Sequence, residues 1–283
     1  DMKNAGAIAF TDDLKSIENT MIMNIALEYT KNLNTIIMVT PFEENLCKNG
    51  LLNEGKISTT LGLNGIPNIA EEIRINRDIE LIKYNKGKLH FSTVSTKKSF
   101  DLIKKGKEKG LKISNDIAAY QLVLNDDMLL EFNTNLKVFP PVRNKKIKKE
   151  LIKNIKNGNI DAISSNHTPV ENEKKKCSFS NAEFGIIGLE STFGIINSEL
   201  KKEIELEKII ELLSINPRKI LNIECPKIEK NNKANITLYD PEKKWVFKTS
   251  DLKSKSRNTP FENYEFIGKV LGVINNGLIH LEN

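Results

Sequence analysis

Apolar and polar positions along the chain alternate between two periods, and the alternation lays out a series of strands and helices. Ala5–Phe10 is a short apolar run closed by the polar Thr11-Asp12-Asp13. Glu18–Lys31 places Met21, Ile22, Ile25, Ala26 and Tyr29 at helical spacing, which predicts an amphipathic helix buried on that face. Thr35–Val39 is a β-branched run of the kind buried on both faces of a parallel sheet. The same rhythm continues. Asn68–Tyr84 reads as helix, Leu89–Phe91 as strand, Lys98–Lys109 as helix stopped at Gly110, and Leu111–Ser114 as strand. Lys146–Ile155 follows as helix and Ile160–Ser164 as strand, with later helices over Gly188–Ile196, Leu206–Ser214 and Pro217–Leu221. Strands that alternate with helices imply βαβ units around a parallel sheet.

Past Ile223 the period changes. Asn235–Tyr239, Trp245–Lys248, Phe266–Val273 and Leu278–Leu281 read as strands without helices between them. Asn276-Gly277 between two apolar runs is a hairpin signal. The chain is expected to divide into an α/β unit over residues 1–222 and a small β module over residues 223–283, with Trp245 anchoring the module.

No Gly-rich phosphate loop follows any predicted strand, which disfavours a nucleotide-binding open sheet and leaves a barrel as the alternative. In barrels, functional side chains stand just after the strands. Hydrophobic residues make up 39% of the 283 and charged residues 28%, enough apolar content for a full core. The net charge of +6 comes from lysines mixed with acids. The dense runs Lys145–Lys149 and Lys174–Lys176 lack interleaved aromatics, so no nucleic-acid partner is expected. No apolar run has the length of a membrane span. Cys47, Cys177 and Cys225 are far apart, which suits a reducing, cytoplasmic setting.

The strand-end segments carry a resemblance. Gly6-Ala7-Ile8-Ala9-Phe10-Thr11-Asp12-Asp13 is similar to the class I dihydroorotase stretch that ends in two aspartates. Asn53-Glu54-Gly55, Leu61–Pro67 and Ala70-Glu71-Glu72 resemble the segment after the next strand, and Val94-Ser95-Thr96 the end of another. Lys137-Val138-Phe139-Pro140-Pro141-Val142-Arg143 resembles that family's Lys-Val-Asn-Pro-Pro-Leu-Arg. Ile160–Ile163 with His167 and Pro169 resembles its Asp-His-Ala-Pro-His strand end, and Phe184–Glu190 its substrate loop. Asn216-Pro217-Arg218 and Ser254-Lys255 with Arg257–Phe261 complete the set. The resemblance implies an amidohydrolase-type TIM (β/α) barrel, incomplete at its N-terminal end in this chain, with a small β-sandwich. The family's first barrel strands, with a His-x-His metal motif and a substrate-binding Arg, are expected to precede Asp1.

Dihydroorotases close carbamoyl aspartate into dihydroorotate, reversibly, with zinc generating a hydroxide and polarising a carbonyl. By resemblance Asp13 falls on the metal-bridging aspartate. Thr40 and Thr93 fall where the family has metal-binding histidines, and Asn166 falls on the aspartate that is both ligand and general base. A threonine hydroxyl is a poor zinc ligand, and an asparagine has neither charge nor a basic site. Phe139 replaces an Asn of the substrate pocket, Val170 replaces a His that holds the substrate carboxylate, and Tyr120-Gln121 stand where the family shows a His pair. His167, Phe184 and Gly185 complete the pocket positions. His167 alone reads as a hydrogen-bonded supporting residue, His90 and His280 as structural, Asp12 and Asp13 as a solvated or capping pair, and Glu43 and Glu44 as a helix-start pair. Cys47 has no histidine nearby in sequence to make it a nucleophile.

The expectation is therefore a catalytically inactive dihydroorotase-like protein of pyrimidine biosynthesis, with no intact catalytic residue and no metal or cofactor. Such relatives assemble with aspartate carbamoyltransferase, so that enzyme, or a second copy of this chain, is the expected partner. One alternative is an active zinc-dependent cyclic amidohydrolase; another is a self-assembling scaffold or sensor that binds a metabolite in the old pocket, which Phe139 and Val170 would narrow.

Overall fold

The computed structural model describes residues 1–13 and 15–282. Five parallel strands form the central sheet: β1 (Ala9–Thr11), β2 (Ile36–Val39), β5 (Leu89–Phe91), β6 (Ile113–Ala118) and β7 (Ala162–Ser164), in that spatial order. Between β2 and β5 a minor parallel pair, β3 (Leu52–Asn53) with β4 (Gly65–Ile66), carries the loop over the sheet's C-terminal end. The helices are α1 (Thr20–Asn32), α2 (Glu44–Cys47), α3 (Lys56–Leu61), α4 (Asn68–Asn85), α5 (Lys97–Glu108), α6 (Lys145–Lys156), α7 (Thr192–Leu200), α8 (Leu206–Ile210) and α9 (Asn216–Leu221). A π-helical turn over Glu211–Ile215 joins α8 to α9. Sequence-adjacent parallel strands joined through helices describe an arc of a β/α barrel.

Apart from β1 at the edge, the strands are largely buried, and β2, β6 and β7 carry the β-branched residues that suit both-face burial: Ile36, Ile37 and Val39 on β2, Ile113 and Ile117 on β6, Ile163 on β7. α5 starts where the Thr96 hydroxyl accepts from Ser99 N, and α6 where the Asn144 side chain accepts from Lys146 N.

Three sequence expectations shift. In α1 the buried residues are Met23, Leu27 and Thr30, while Met21, Ile22, Ile25 and Tyr29 are 69, 57, 51 and 67% exposed. The helix has two apolar stripes, and the sheet takes the other one. The helix expected over Gly188–Ile196 runs Thr192–Leu200 instead. Gly188 lies so close to β7 that a Cβ there would meet the Ser165 carbonyl oxygen at 2.2 Å, and its own carbonyl accepts from Thr192 Oγ1. The strand expected at Leu111–Ser114 begins at Ile113 and runs on to Ala118.

The C-terminal module is one antiparallel sheet, β8 (Ile236–Val246), β9 (Glu265–Asn275) and β10 (Leu278–Leu281). The two strands expected over Asn235–Lys248 are a single strand, its pairing with β9 broken by irregularities between Leu238 and Tyr239 and between Asp240 and Lys244. Asn276 (φ 50°) and Gly277 (φ 77°) both take the left-handed backbone of a tight β9–β10 hairpin. Trp245 anchors the module: its indole donates to the Gly268 carbonyl at 2.9 Å, and its ring packs on Phe247 and Phe266 against Gly194 of α7.

Arg74 and Arg77 of α4 fasten the segment before α1. Arg74 donates to the Ile17 carbonyl at 2.6 Å and pairs with Glu18 (2.7 Å) and Glu43 (3.0 Å). Glu43 is thus an ion-pair partner rather than only a helix-start residue. Arg77 pairs with the buried Asp78 at 2.6 Å, yet loss of water on burial outweighs that pairing and pushes the Asp78 carboxyl up to about 6; one of its oxygens has no hydrogen-bond partner. A folded-state value above the usual 3.8 means that the folded protein holds this proton more tightly than the unfolded chain. The associated stability is fully present below about pH 4 and is lost as pH rises through about 6. The expected result is a fall of up to about 3 kcal/mol across that window, flattened by Asp78→Asn, in urea melts at successive pH values.

Candidate functional site

The C-terminal ends of the parallel strands form the mouth of the arc, and the positions singled out in the sequence stand there. Asp13 follows β1, Thr40 follows β2, Thr93 follows β5 and Asn166 follows β7. Asp13 (φ 58°), Thr93 (φ 53°) and Asn166 (φ 46°) hold left-handed backbone, so each strand ends in a sharp turn.

The neutral residues bond to the protein itself. The Thr40 hydroxyl donates to the Asp13 carbonyl at 3.2 Å. The Asn166 amide donates to the Phe139 carbonyl at 2.8 Å. Thr93 is held through its backbone, whose N–H donates to Asp116 Oδ1 at 3.0 Å. The His167 Nδ1 accepts from the N–H groups of Gly188 (3.2 Å) and Leu189 (3.4 Å), which assigns the ring proton of the neutral form to Nε2 and leaves no lone pair there for a metal. Among the described residues no three His, Cys, Asp or Glu side chains come together as a metal-binding group. This donor set does not fit zinc, which needs several imidazole nitrogens, thiolates or carboxylates converging on one point.

Aromatic rings occupy the space above. Phe42 and Phe139 have centroids 4.4 Å apart, and Phe139 meets Phe184 edge-on at 5.9 Å. Phe42 is buried, while Phe139 and Phe184 are half-buried. Beneath them Lys137 donates to the Phe179 and Ser180 carbonyls, both at 3.0 Å, with its ammonium 5.1 Å from the Phe184 centroid. Lys175 is buried beside it and donates to the carbonyls of Thr134, Lys137 and Glu183. Burial and the neighbouring Lys137 charge push Lys175 down to about 8. Val170 is buried, its N–H donating to Asn258, and Gly185 (φ 151°) presses against it, so that a Cβ at Gly185 would meet Val170 Cγ2 at 2.5 Å. Tyr120 donates to the Pro140 carbonyl at 2.7 Å, and burial raises its phenol far above the usual range.

Two buried polar hubs beneath the mouth were not legible as such in the sequence. In the first, Glu71 accepts from the N–H groups of Ser95 (3.0 and 3.1 Å) and Thr96 (3.0 Å) and from the Ser95 hydroxyl. Arg143 donates to Ser95 Oγ (3.1 Å), Asn53 (2.6 Å) and Asn68 (2.8 Å) and lies 3.6 Å from Glu71. In the second, Asp116 accepts from Thr93 N, from Ser164 Oγ (2.8 Å) and from His90 Nε2 (2.9 Å), whose Nδ1 meets Ser114 Oγ at 2.8 Å. His90 is structural, as its place within a strand implied. His280 lies on the exposed β10.

Cys47 is half-buried against the aromatic group, and burial pushes its thiol up to about 11, away from nucleophilic use. No helix among the described residues is long and apolar enough to cross a membrane.

The model for the "Dihydro-orotase-like" family matches residues 1–99. A dihydroorotase of Carboxydothermus hydrogenoformans is 39% identical across 99% of this chain and 66% of its own length. One from Endomicrobium trichonymphae is 37% identical across 98% of this chain and 67% of its own. The chain thus spans about two thirds of the length of the relatives it matches. Among solved structures, the L-hydantoinase (dihydropyrimidinase) of Arthrobacter aurescens superposes with a TM-score of 0.89 at 20% identity, covering 99% of this chain and 66% of that one. A dihydropyrimidinase from Brevibacillus agri gives 0.84 at 21% identity. Those two establish an amidohydrolase-type β/α barrel as the fold. Joined to 37–39% identity across 98–99% of the chain, they leave one conclusion: the chain belongs to the dihydroorotase family.

Proposed function

We propose that this chain is a non-catalytic dihydroorotase homologue of pyrimidine biosynthesis, working in the cytoplasm as a structural partner of aspartate carbamoyltransferase or of a second copy of itself. The observation that carries the reading is the direction of the hydrogen bonds at the mouth. Thr40 and Asn166 spend their donors on the Asp13 and Phe139 carbonyls, so that the strand ends are stitched to one another rather than turned toward a shared cation. Neither group takes up a proton at neutral pH, which leaves no general base at those positions. The retained family motifs support the reading from the other side. Glu71, Ser95 and Arg143 are buried in a network that holds the barrel together and needs no metal.

One observation favours a second reading. The Asp13 side chain is exposed, and relatives of this chain are about half as long again. An active zinc-dependent dihydroorotase would hold its metal between Asp13 and imidazoles from outside these residues.

The two readings part on metal content and turnover. The protein is expected to contain no stoichiometric zinc by elemental mass spectrometry and to hydrolyse dihydroorotate no faster than its His167→Ala variant. Asn166→Asp is expected to lose about 1–3 kcal/mol of stability, because it sets a carboxylate against the Phe139 carbonyl, and to regain none of it with added zinc. Stoichiometric zinc with turnover above the variant, or zinc-dependent stabilisation of Asn166→Asp, would sink the proposal. Co-sedimentation with aspartate carbamoyltransferase tests the partner, and a lone monomer at cellular concentration counts against both associations.

A further inference from the structure

Two outer helices, α4 and α5, pack side by side and leave a groove of about 400 Å3 between them. Ile69, Ile73 and Leu102 give it an apolar lining, and Glu72, Arg77 and Lys98 stand along it. Ile69 and Ile73 are 47 and 45% exposed and lie one helical turn apart, so α4 turns an apolar stripe outward beside the half-buried Leu102. The charges along the groove are unequally committed. Glu72 pairs with Lys98 at 3.2 Å, and Arg77 is spent on Asp78 and on the Ile17 and Glu18 carbonyls. The two acids of α5 are also taken, Asp101 by Lys97 (2.9 Å) and Glu108 by Lys104 (3.8 Å). Lys105 and Lys109 are exposed and have no carboxylate within ion-pair distance among the described residues. They follow Lys98 and Leu102 at helical spacing, on the face of α5 that borders the groove. Residues 97–112 hold seven lysines against Asp101 and Glu108, a surplus of five in a chain whose whole net charge is +6.

We propose that this groove is the docking site for an amphipathic helix of an acidic protein partner. Apolar side chains of that helix, spaced three and four residues apart, enter between Ile69, Ile73 and Leu102, and carboxylates along its flank meet Lys105 and Lys109. Burial of the apolar stripe supplies the affinity. Exposed ion pairs add little to it, and they select an acidic partner and speed its approach instead. A second copy of this chain is a poor occupant, because a two-fold contact here would set one Lys-rich α5 against another. Among the described residues the groove has no aromatic ring on which bases could stack, and its apolar side chains lie between two helices instead of forming a face that could enter a bilayer. No strand-mouth residue lines it, so the site stands whether or not the mouth is catalytic.

The probe is a fluorescein-labelled helical peptide as long as α4, 18 residues, with leucine along one face and glutamate on the others. Fluorescence anisotropy with the intact chain is expected to show saturable binding in the micromolar range. A peptide with lysine in place of glutamate is expected to bind at least about tenfold more weakly, and one with serine in place of leucine not to bind. In the protein, Ile73→Asp and, separately, Lys105→Glu/Lys109→Glu are each expected to weaken binding by about tenfold. The control Lys227→Glu/Lys230→Glu makes the same change of charge in the exposed segment before β8 and is expected to leave binding unchanged. All the substituted side chains are exposed, so each variant is expected to keep the parent's melting temperature. The proposal is overturned by absence of saturable binding, by equal binding of the lysine peptide, by binding insensitive to Ile73→Asp or to the Lys105/Lys109 change, or by an equal loss in the control. It is also overturned if the chain binds duplex DNA or phosphatidylserine vesicles through Lys105 and Lys109 more tightly than it binds the acidic peptide.

Discussion

Arg143→Ala is expected to cost the protein about 3–5 kcal/mol, the range found when one partner is removed from a buried ion pair. The guanidinium is buried and ties three separate segments of chain together through Asn53, Asn68 and Ser95. Burial works against its charge, and Glu71 alongside works for it. Without it Glu71, fully buried, keeps its bonds to the Ser95 and Thr96 backbone but loses its countercharge, and Asn53 and Asn68 lose their donor. Urea unfolding should show a lower midpoint with an unchanged slope. The double variant Glu71→Gln/Arg143→Met should cost clearly less than the two single changes added together, since they share one interaction. A loss below about 1 kcal/mol for Arg143→Ala would show that the network is ornamental to stability.

How much of this was legible in the sequence depends on the distance over which each feature acts. Strands such as Leu89–Phe91 and Leu278–Leu281 and the Asn276-Gly277 turn depend on neighbouring residues, and they stand where the pattern put them. The α1 face did not, because periodicity shows that apolar stripes exist but not which one meets the sheet. The buried stripe contains Thr30, whose hydroxyl satisfies itself on the Ala26 carbonyl at 2.7 Å and so behaves as an apolar residue in packing. Motif matching named Asn53, Glu71, Ser95 and Arg143 separately, yet Arg143 and Asn53 touch across 90 positions of chain, a contact no local pattern encodes. Lys137 was legible only as the first residue of a motif, and Lys175 only as charge. Their burial on backbone carbonyls follows from the course of the loop over residues 174–184, where the carbonyl oxygens supply what acidic side chains would otherwise provide. At the mouth the sequence showed which donors had changed but not where the new ones pointed. The direction of Asn166 toward Phe139 turns a missing ligand into a present bond.

Asp116 was not singled out in the sequence at all, and its loss is the second large effect expected. One carboxylate joins three strands: it lies on β6, accepts from His90 on β5 and from Ser164 on β7, and fixes the turn after β5 through Thr93 N. Asp116→Ala would leave these three donors without their acceptor in a largely buried site, at about 1–3 kcal/mol for each neutral group that water does not reach. The bonds share a centre, so their costs are not additive, and a total of about 3–5 kcal/mol is expected. Part of that total concerns backbone strain. Thr93 is β-branched and sits at φ 53°, a conformation that costs about 1–3 kcal/mol and persists only where the surroundings enforce it. The bond from Thr93 N to Asp116 Oδ1, at 3.0 Å, holds the residue in that conformation. It follows that Thr93→Gly should recover part of the stability lost in Asp116→Ala, because glycine adopts that backbone without strain. Thermal melts of the four combinations measure the coupling. If Thr93→Gly rescues nothing, Asp116 serves only to pair its three donors, and the left-handed turn at the end of β5 is held by something else.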